Sequence, residues 1–323
     1  MDAKSPRKLI VLAIVTLFVL SLFHFTPVIG QTLPTDLSGI DIALYYGDPS
    51  SSTSSRTALQ FMFNWMNASV DILYASDIND GELAGYDMIV VPGGWAGTYN
   101  VDLAGTGITE IRKFVRDGGS YFGVCAGAYF ACDKLLWEGD VIEYPLNLFE
   151  GYGIGAVDEI APWPTYAMAE IVTNRASTLI DLSEEPANYS VMYYGGPWFQ
   201  LTDQEGIYTL ATYSANNESA MIAFEYEEGR VFLSGPHPEW EEGSNRDGCT
   251  WENFFDDQGS EWDLMLKISL WLTEGLTTST TTTTTSTDTI NSQSGLIAPD
   301  SLLLIVALGS ATLVIAILIR RRT

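Results

Sequence analysis

Histidine, positive charge and cysteine are the scarce components of this 323-residue chain. There are two histidines, three cysteines, and fifteen Lys and Arg against forty-one Asp and Glu. So few basic residues make nucleic acid an unexpected partner, because phosphate binding needs clustered positive charge. One of the histidines, His24, lies in an apolar leader, so the rest of the chain has only His237. One His and three Cys give no zinc-type spacing, and no G-x-x-x-x-G-K phosphate loop is present. Neither a metal nor an organic cofactor is therefore expected.

Charge is missing altogether from two long runs at the ends. The first, LIVLAIVTLFVLSLF, follows Lys4, Arg7 and Lys8 and closes on small residues at VIG. Residues 1–30 thus read as a secretory signal peptide, with an uncleaved N-terminal anchor as the alternative. The second, SLLLIVALGSATLVIAILI over 301–319, is long enough for a transmembrane helix. The arginines of the 320–323 tail should stay cytoplasmic, which places the rest of the chain outside a single-pass cell membrane protein. Membrane contact is expected through this C-terminal helix. Between them, 277–300 is a Thr/Ser-rich stalk with too few apolar residues for a core. Asn-x-Ser sequons at Asn67, Asn188 and Asn217 fit an exported glycoprotein.

Residues 31–276 form the globular part. The chain from 31 to 300 retains nine of the basic and forty of the acidic residues, a formal charge of −31 that reads as a solvated surface. Short apolar runs (IDIALYY, SVDILYAS, YDMIVVPGG, SYFGV) alternate with helical patterns (RTALQFMFNWMN, ITEIRKFVRDGG). This order predicts an α/β fold, a parallel sheet with helices on both faces. AYFACDKLLW after SYFGV can form a helix. The second half reads as short β-like runs (MAEIVT, SVMYYGG, IYTLATY, AMIAFEY, RVFLSG) before a last helix, SEWDLMLKISLWLTEGL.

In open α/β sheets chemistry collects at the carboxyl ends of strands, and three such ends stand out. GVCAGAYFAC puts Cys125 between Gly123 and Gly127 after a strand, the G-x-nucleophile-x-G layout of a tight strand-to-helix elbow. A helix N-terminus there favours the thiolate. PGGWAG offers the backbone N–H groups of Gly93 and Gly94 as oxyanion donors. RVFLSGPHPEW delivers His237 with Glu239 two residues on, the same way round in an extended chain, so the carboxylate can orient the imidazole.

GGSYFGVCAGAYF and RVFLSGPHPE resemble the nucleophile and His/Glu motifs of the class I glutamine amidotransferase superfamily. Together with VVPGG and MYYGGPWF, they resemble more closely the N-terminal domain of eukaryotic biotin–protein ligases. The resemblance covers most of Gly39 to Leu276. It implies a flavodoxin-like sheet, a Cys125–His237–Glu239 triad, oxyanion stabilisation by backbone N–H groups near Gly94 and Ala126, and Tyr193, Tyr194, Gly195 and Gly196 lining the pocket. Glutamine amidotransferases carry Gln four residues after the nucleophile, where this chain has Tyr129, so the substrate need not be glutamine. C-A-G-A also resembles the S-A-G-A turn of related serine peptidases. No biotin ligase domain is read beside the motifs, so ligation is not expected.

With Cys125 as nucleophile, Cys132 and Cys249 remain as an even pair that would suit a disulfide in an exported domain. The pairings of Cys125 with either one stay open. The resulting expectation is a cysteine-dependent hydrolase of a small-molecule or peptide amide. Its competitors are a catalytically silent binding or sensing module that uses the same pocket, and a structural surface protein.

Overall fold

The most apolar runs become adjacent strands. β1 (Asp41–Tyr46), β3 (Met88–Val91), β4 (Ser120–Val124) and β13 (Gly229–Ser234) lie side by side in parallel, with β2 (Ser69–Tyr74) outside β1. β3 and β4 are buried at every position, as strands covered on both faces must be. This is a computed structural model. It describes residues 34–47, 51–201, 205–241, 245–255 and 258–276. The expected leader (1–30), stalk (277–300), membrane span (301–319) and tail (320–323) lie outside those residues. Among the described residues no helix is long and apolar enough to cross a membrane.

Alternation along β1 separates two core layers. Ile42 and Leu44 join a layer with Leu59, Met62 and Phe63 of α1 (Thr53–Trp65) and with Leu264, Met265 and Ile268 of α6 (Trp262–Leu272). Ala43 and Tyr45 join the opposite layer, with Ile78 of α2 (Ala75–Asn79), Tyr99 of α3 (Ala96–Asp102), and Ile108, Ile111 and Val115 of α4 (Thr106–Arg116). Helices thus cover both faces of the parallel half. Ser52 caps α1 by accepting from the Ser55 N–H, which fixes where that helix begins.

The periodicity predicts a parallel sheet, but only part of this one is parallel. Among the described residues it has thirteen strands, and beyond β13 most pairings are antiparallel. β12 (Ser219–Tyr226) turns straight into β13 through Glu227 and Glu228, a connection far too short for a crossover helix, so the pair must run antiparallel. β10 (Trp198–Gln200) and β7 (Phe149–Gly155) follow antiparallel. β5 (Cys132–Trp137) then lies parallel to β7, with β6 (Asp140–Glu143) at the edge. β11 (Ile207–Tyr213), β8 (Ala167–Thr173) and β9 (Asn188–Tyr193) form an antiparallel side branch.

The expected helix AYFACDKLLW is mostly strand. Only Ala126–Ala131 is helical (α5), and the chain turns extended at Cys132. CDKLLW satisfies its backbone against β7 on one side and β6 on the other. Glu138 and Gly139 at the β5–β6 turn both take positive φ, as a tight hairpin requires.

Candidate functional site

Three neighbouring strand ends meet at one place. β4 is flanked by β3 and β13, so the residues that follow each of them, Cys125, Gly94 and His237, converge. Cys125 occupies the elbow between β4 and α5 with φ of 50°, a left-handed conformation uncommon outside glycine. The turn is held by the Cys125 N–H donating to the Ser234 carbonyl at 2.9 Å and the Gly127 N–H donating to Pro92 at 3.2 Å. The thiol is 7% exposed and donates to the Tyr194 carbonyl at 3.6 Å.

His237 is anchored by its own N–H, which donates to Met192 of β9 at 2.8 Å. Its buried ring stacks on Trp240 at 4.1 Å, and Nδ1 lies 2.8 Å from Glu239 Oε1. That carboxylate accepts a hydrogen bond from Nδ1, while among the described residues the buried Nε2 has no hydrogen-bond partner. Glu239 is fully buried. Its Oε1 accepts the Ser55 hydroxyl at 2.6 Å, and Ser55 in turn accepts the Gly93 N–H at 3.0 Å. The Trp262 indole N–H donates to the Glu239 carbonyl at 3.1 Å, tying the segment to α6.

Burial, the largest influence on His237, favours the neutral ring. The Glu239 carboxylate and then Cys125 together outweigh it and carry the pKa up to about 10. A folded pKa above the unfolded value of about 6.5 means that folding takes up a proton in the interval between. The stability this supplies is fully present below about pH 6.5 and is lost as pH rises through about 10. Denaturant unfolding of the parent should therefore weaken across that window, and His237→Gln should flatten the profile.

Not every expected residue falls where the sequence puts it. Gly94 and Ala126 line the pocket, and among the described residues neither N–H donates to a protein acceptor. Gly93 does not serve as an oxyanion donor, because its N–H is taken by Ser55. Tyr194 and Gly195 line the pocket, but Tyr193 and Gly196 lie behind it. Alternation in β9 turns the Tyr193 ring into the core, where its hydroxyl donates to the Gly196 carbonyl at 2.9 Å. Tyr129 is a wall residue whose hydroxyl donates to the Gly195 carbonyl at 3.2 Å.

The expected Cys132–Cys249 bridge is absent, and all three cysteines are unbridged thiols. Cys132 donates to the Ala128 carbonyl in the layer below α5, whereas Cys249 sits beside Ala58, Met192 and Trp240 and donates to Ser54. The helix ending at Ala131 turns Cys132 away from the loop that carries Cys249. The sequon asparagines Asn67, Asn188 and Asn217 are all exposed.

Sequence reasoning misses Ser55 and the tryptophans of the cavity. Ser55 is one of several serines in a polar run, and nothing marks it until α1 packs under Glu239. The cavity holds about 180 Å³ and is walled by Trp95, Trp137, Trp163 and Trp240 with Tyr129 and Tyr194. Trp95, Trp137 and Trp163 approach each other with ring centroids 5.5 to 6.3 Å apart, and Trp163 stacks on Tyr194 at 5.2 Å. Trp95 is 52% exposed and forms the rim.

Comparison with known proteins puts a family to this arrangement. The chain is 30% identical over 164 residues to an uncharacterized protein of Chlamydia muridarum, covering 47% of this chain and 60% of that protein. It is also 30% identical over 164 residues to a biotin–protein ligase of Schizosaccharomyces pombe, covering 47% of this chain and 25% of the ligase. The chain thus spans less than two thirds of the length of these relatives. Among solved structures, a cytoplasmic protein of Salmonella typhimurium LT2 aligns over 72% of this chain and 98% of its own, at 15% identity and a TM-score of 0.43, a slight likeness. The family described as "Biotin-protein ligase, N terminal" matches residues 40–258. That stretch runs from the residue before β1 to well beyond His237, and on it the chain belongs to the biotin–protein ligase N-terminal family.

Proposed function

We propose that this domain is a glutamine amidotransferase-like thiol hydrolase of C–N amide or peptide bonds, held outside the cell by the C-terminal apolar segment. The observation that carries the reading is the imidazole of His237: Nδ1 is held by Glu239, and Nε2 is buried beside the Cys125 elbow with no hydrogen-bond partner among the described residues. An imidazolium in that state can steady a thiolate and hand its Nε2 proton to a leaving group, and can do little else.

In this mechanism the Cys125 sulfur attacks the substrate carbonyl carbon while His237 holds the thiol proton. The oxyanion is received by the N–H groups of Gly94 and Ala126. The C–N bond breaks as Nε2 passes its proton to the departing amine, which leaves a thioester on Cys125. His237 then takes a proton from water, the hydroxide attacks the thioester, and the acid departs as the thiol is restored. Ser55 and Glu239 keep the ring in register throughout and do not touch the substrate.

Among the described residues no Lys, Arg, Asp or Glu lines the cavity. Among the described residues the lining offers no acidic side chain to the α-ammonium of free glutamine, and its one cation, His237, is already committed to Glu239 and Cys125. The aromatic walls suit instead an uncharged acyl group with an apolar or aromatic side chain. A panel of N-acyl amides and short peptides, with free glutamine included, tests this. Hydrophobic acyl donors should be hydrolysed and glutamine spared, with a fall of about 10³-fold or more in Cys125→Ser. Glutamine as the preferred substrate would overturn the assignment of the walls. Tight binding of hydrophobic amides without turnover would favour instead a silent sensing module.

A further inference from the structure

Beyond the pocket, the loop after His237 brings together three side chains that nothing in the hydrolase reading uses. Asp247, Cys249 and Glu252 place one carboxylate oxygen, the thiol sulfur and another carboxylate oxygen within 4.8 Å of one another. All three are buried, Asp247 and Glu252 fully so. Among the described residues, neither carboxylate is ion-paired with a lysine or arginine. The nearby Arg246 is turned to Glu241 and stacks over Trp65 and Trp262.

The carboxylates differ in how they are satisfied. Asp247 accepts the backbone N–H groups of Glu241 at 3.1 Å and Cys249 at 2.8 Å. Both oxygens of Glu252 are buried, and among the described residues neither has a hydrogen-bond partner. Removing a carboxylate from water costs several kcal/mol unless opposite charge or a proton meets it. Gly248, between Asp247 and Cys249, has φ of 77° and packs against Phe61, so the turn that gathers these ligands leaves no room for a side chain.

We propose that Asp247, Cys249 and Glu252 form a zinc site. A thiolate with two carboxylates suits Zn²⁺, which accepts sulfur and oxygen together, better than Ca²⁺ or Mg²⁺, which take oxygen ligands. On binding, the Cys249 thiol gives its proton to solvent and the sulfur bonds to zinc. The two positive charges then meet the unpaired oxygens of Glu252. The spacing, with ligands at a first, third and sixth position, matches no zinc pattern readable from sequence. The site is structural in character. It fastens the loop that seats Trp251 against the edge of Trp240 at 5.0 Å, and Trp240 is the ring on which His237 stacks. It does not depend on the hydrolase reading.

The test is to equilibrate the purified protein with Zn²⁺, remove the excess by gel filtration and measure bound metal by mass spectrometry. A single equivalent per chain is expected. Affinity should fall by more than about tenfold in Glu252→Gln and in Cys249→Ser, the least that losing even an outer-shell partner costs. Cys125→Ser should keep its zinc. Should Glu252→Gln fail to fold, Co²⁺ gives a second reading: the parent should show a thiolate-to-cobalt charge-transfer band that Cys249→Ser lacks. No retained zinc, a cobalt band surviving in Cys249→Ser, or zinc lost in Cys125→Ser alone would each overturn the site, the last by placing the metal on the catalytic thiol.

Discussion

With His237 replaced by Ala, alkylation of Cys125 by iodoacetamide at pH 6 should slow by roughly 10- to 300-fold. An ordinary thiol titrating near 8.5 is only about 0.3% thiolate at that pH, which sets the upper limit. A thiolate stabilised by a neighbouring cation is also a weaker nucleophile, and that gives back part of the gain. The cation is His237, held protonated to about pH 10 because Glu239 and Cys125 outweigh its burial. The label should be selective for Cys125. Cys132 is fully buried, and burial pushes its pKa above the ordinary range. Cys249 is pushed up to about 12 by burial, Asp247 and Glu252. Glu239→Gln should slow the reaction as well, because an amide can orient the ring but cannot hold its charge. Ser55→Ala should have a smaller effect, since it removes one donor to Glu239 and leaves the carboxylate in place. A rate at pH 6 that is indifferent to His237, with both proteins accelerating only through the ordinary thiol range, would show that the thiol and imidazole do not act as a pair, and the hydrolase reading would fail with it.

The parallel half of the fold is legible because it depends on local patterns. MIVV and SYFGV have no polar face, and only a strand covered on both sides accommodates that. The elbow is legible for a similar reason. A residue between glycines at a strand-to-helix turn can be named before anything is known of its neighbours. The antiparallel half is set by connections instead. Nothing within AYFACDKLLW announces that its second part will pair with residues seventeen or eighteen positions away, and its apolar content serves helix and strand alike. The disulfide expectation fails on the same point, since ending the helix at Ala131 redirects Cys132. Ser55 and the pocket tryptophans are invisible for a further reason. They matter only through what they touch across long stretches of chain, such as the 184 positions from Ser55 to Glu239.

Gly127→Ala should destabilise the domain, although the substitution improves helix propensity. Gly127 lies inside α5 with no positive φ, so on propensity alone Ala would add about 1 kcal/mol of stability. Packing opposes this. A Cβ at Gly127 would lie 2.8 Å from the Val91 carbonyl carbon and nearer still to its oxygen. Those are backbone atoms of a central strand, bonded into the sheet, and they cannot swing aside as a flexible side chain could. Overpacking against a fixed partner costs about 1–3 kcal/mol and sometimes more. The crowding here is severe enough that the upper end should apply, leaving a net loss of about 2 kcal/mol. For a domain of this size that is a fall in Tm of roughly 4 to 8 °C. The close approach also sets the site, because the Gly127 N–H donates to Pro92 and so fixes the elbow beside Gly94. A variant that remains folded should therefore react more slowly at Cys125, as α5 backs away from β3 and carries the thiol with it. Calorimetry and thiol labelling on the same preparation separate the two effects. A Tm unchanged or raised would mean that β3 and α5 can part without cost, and the elbow would then be a looser turn than the contact between Gly127 and Val91 requires.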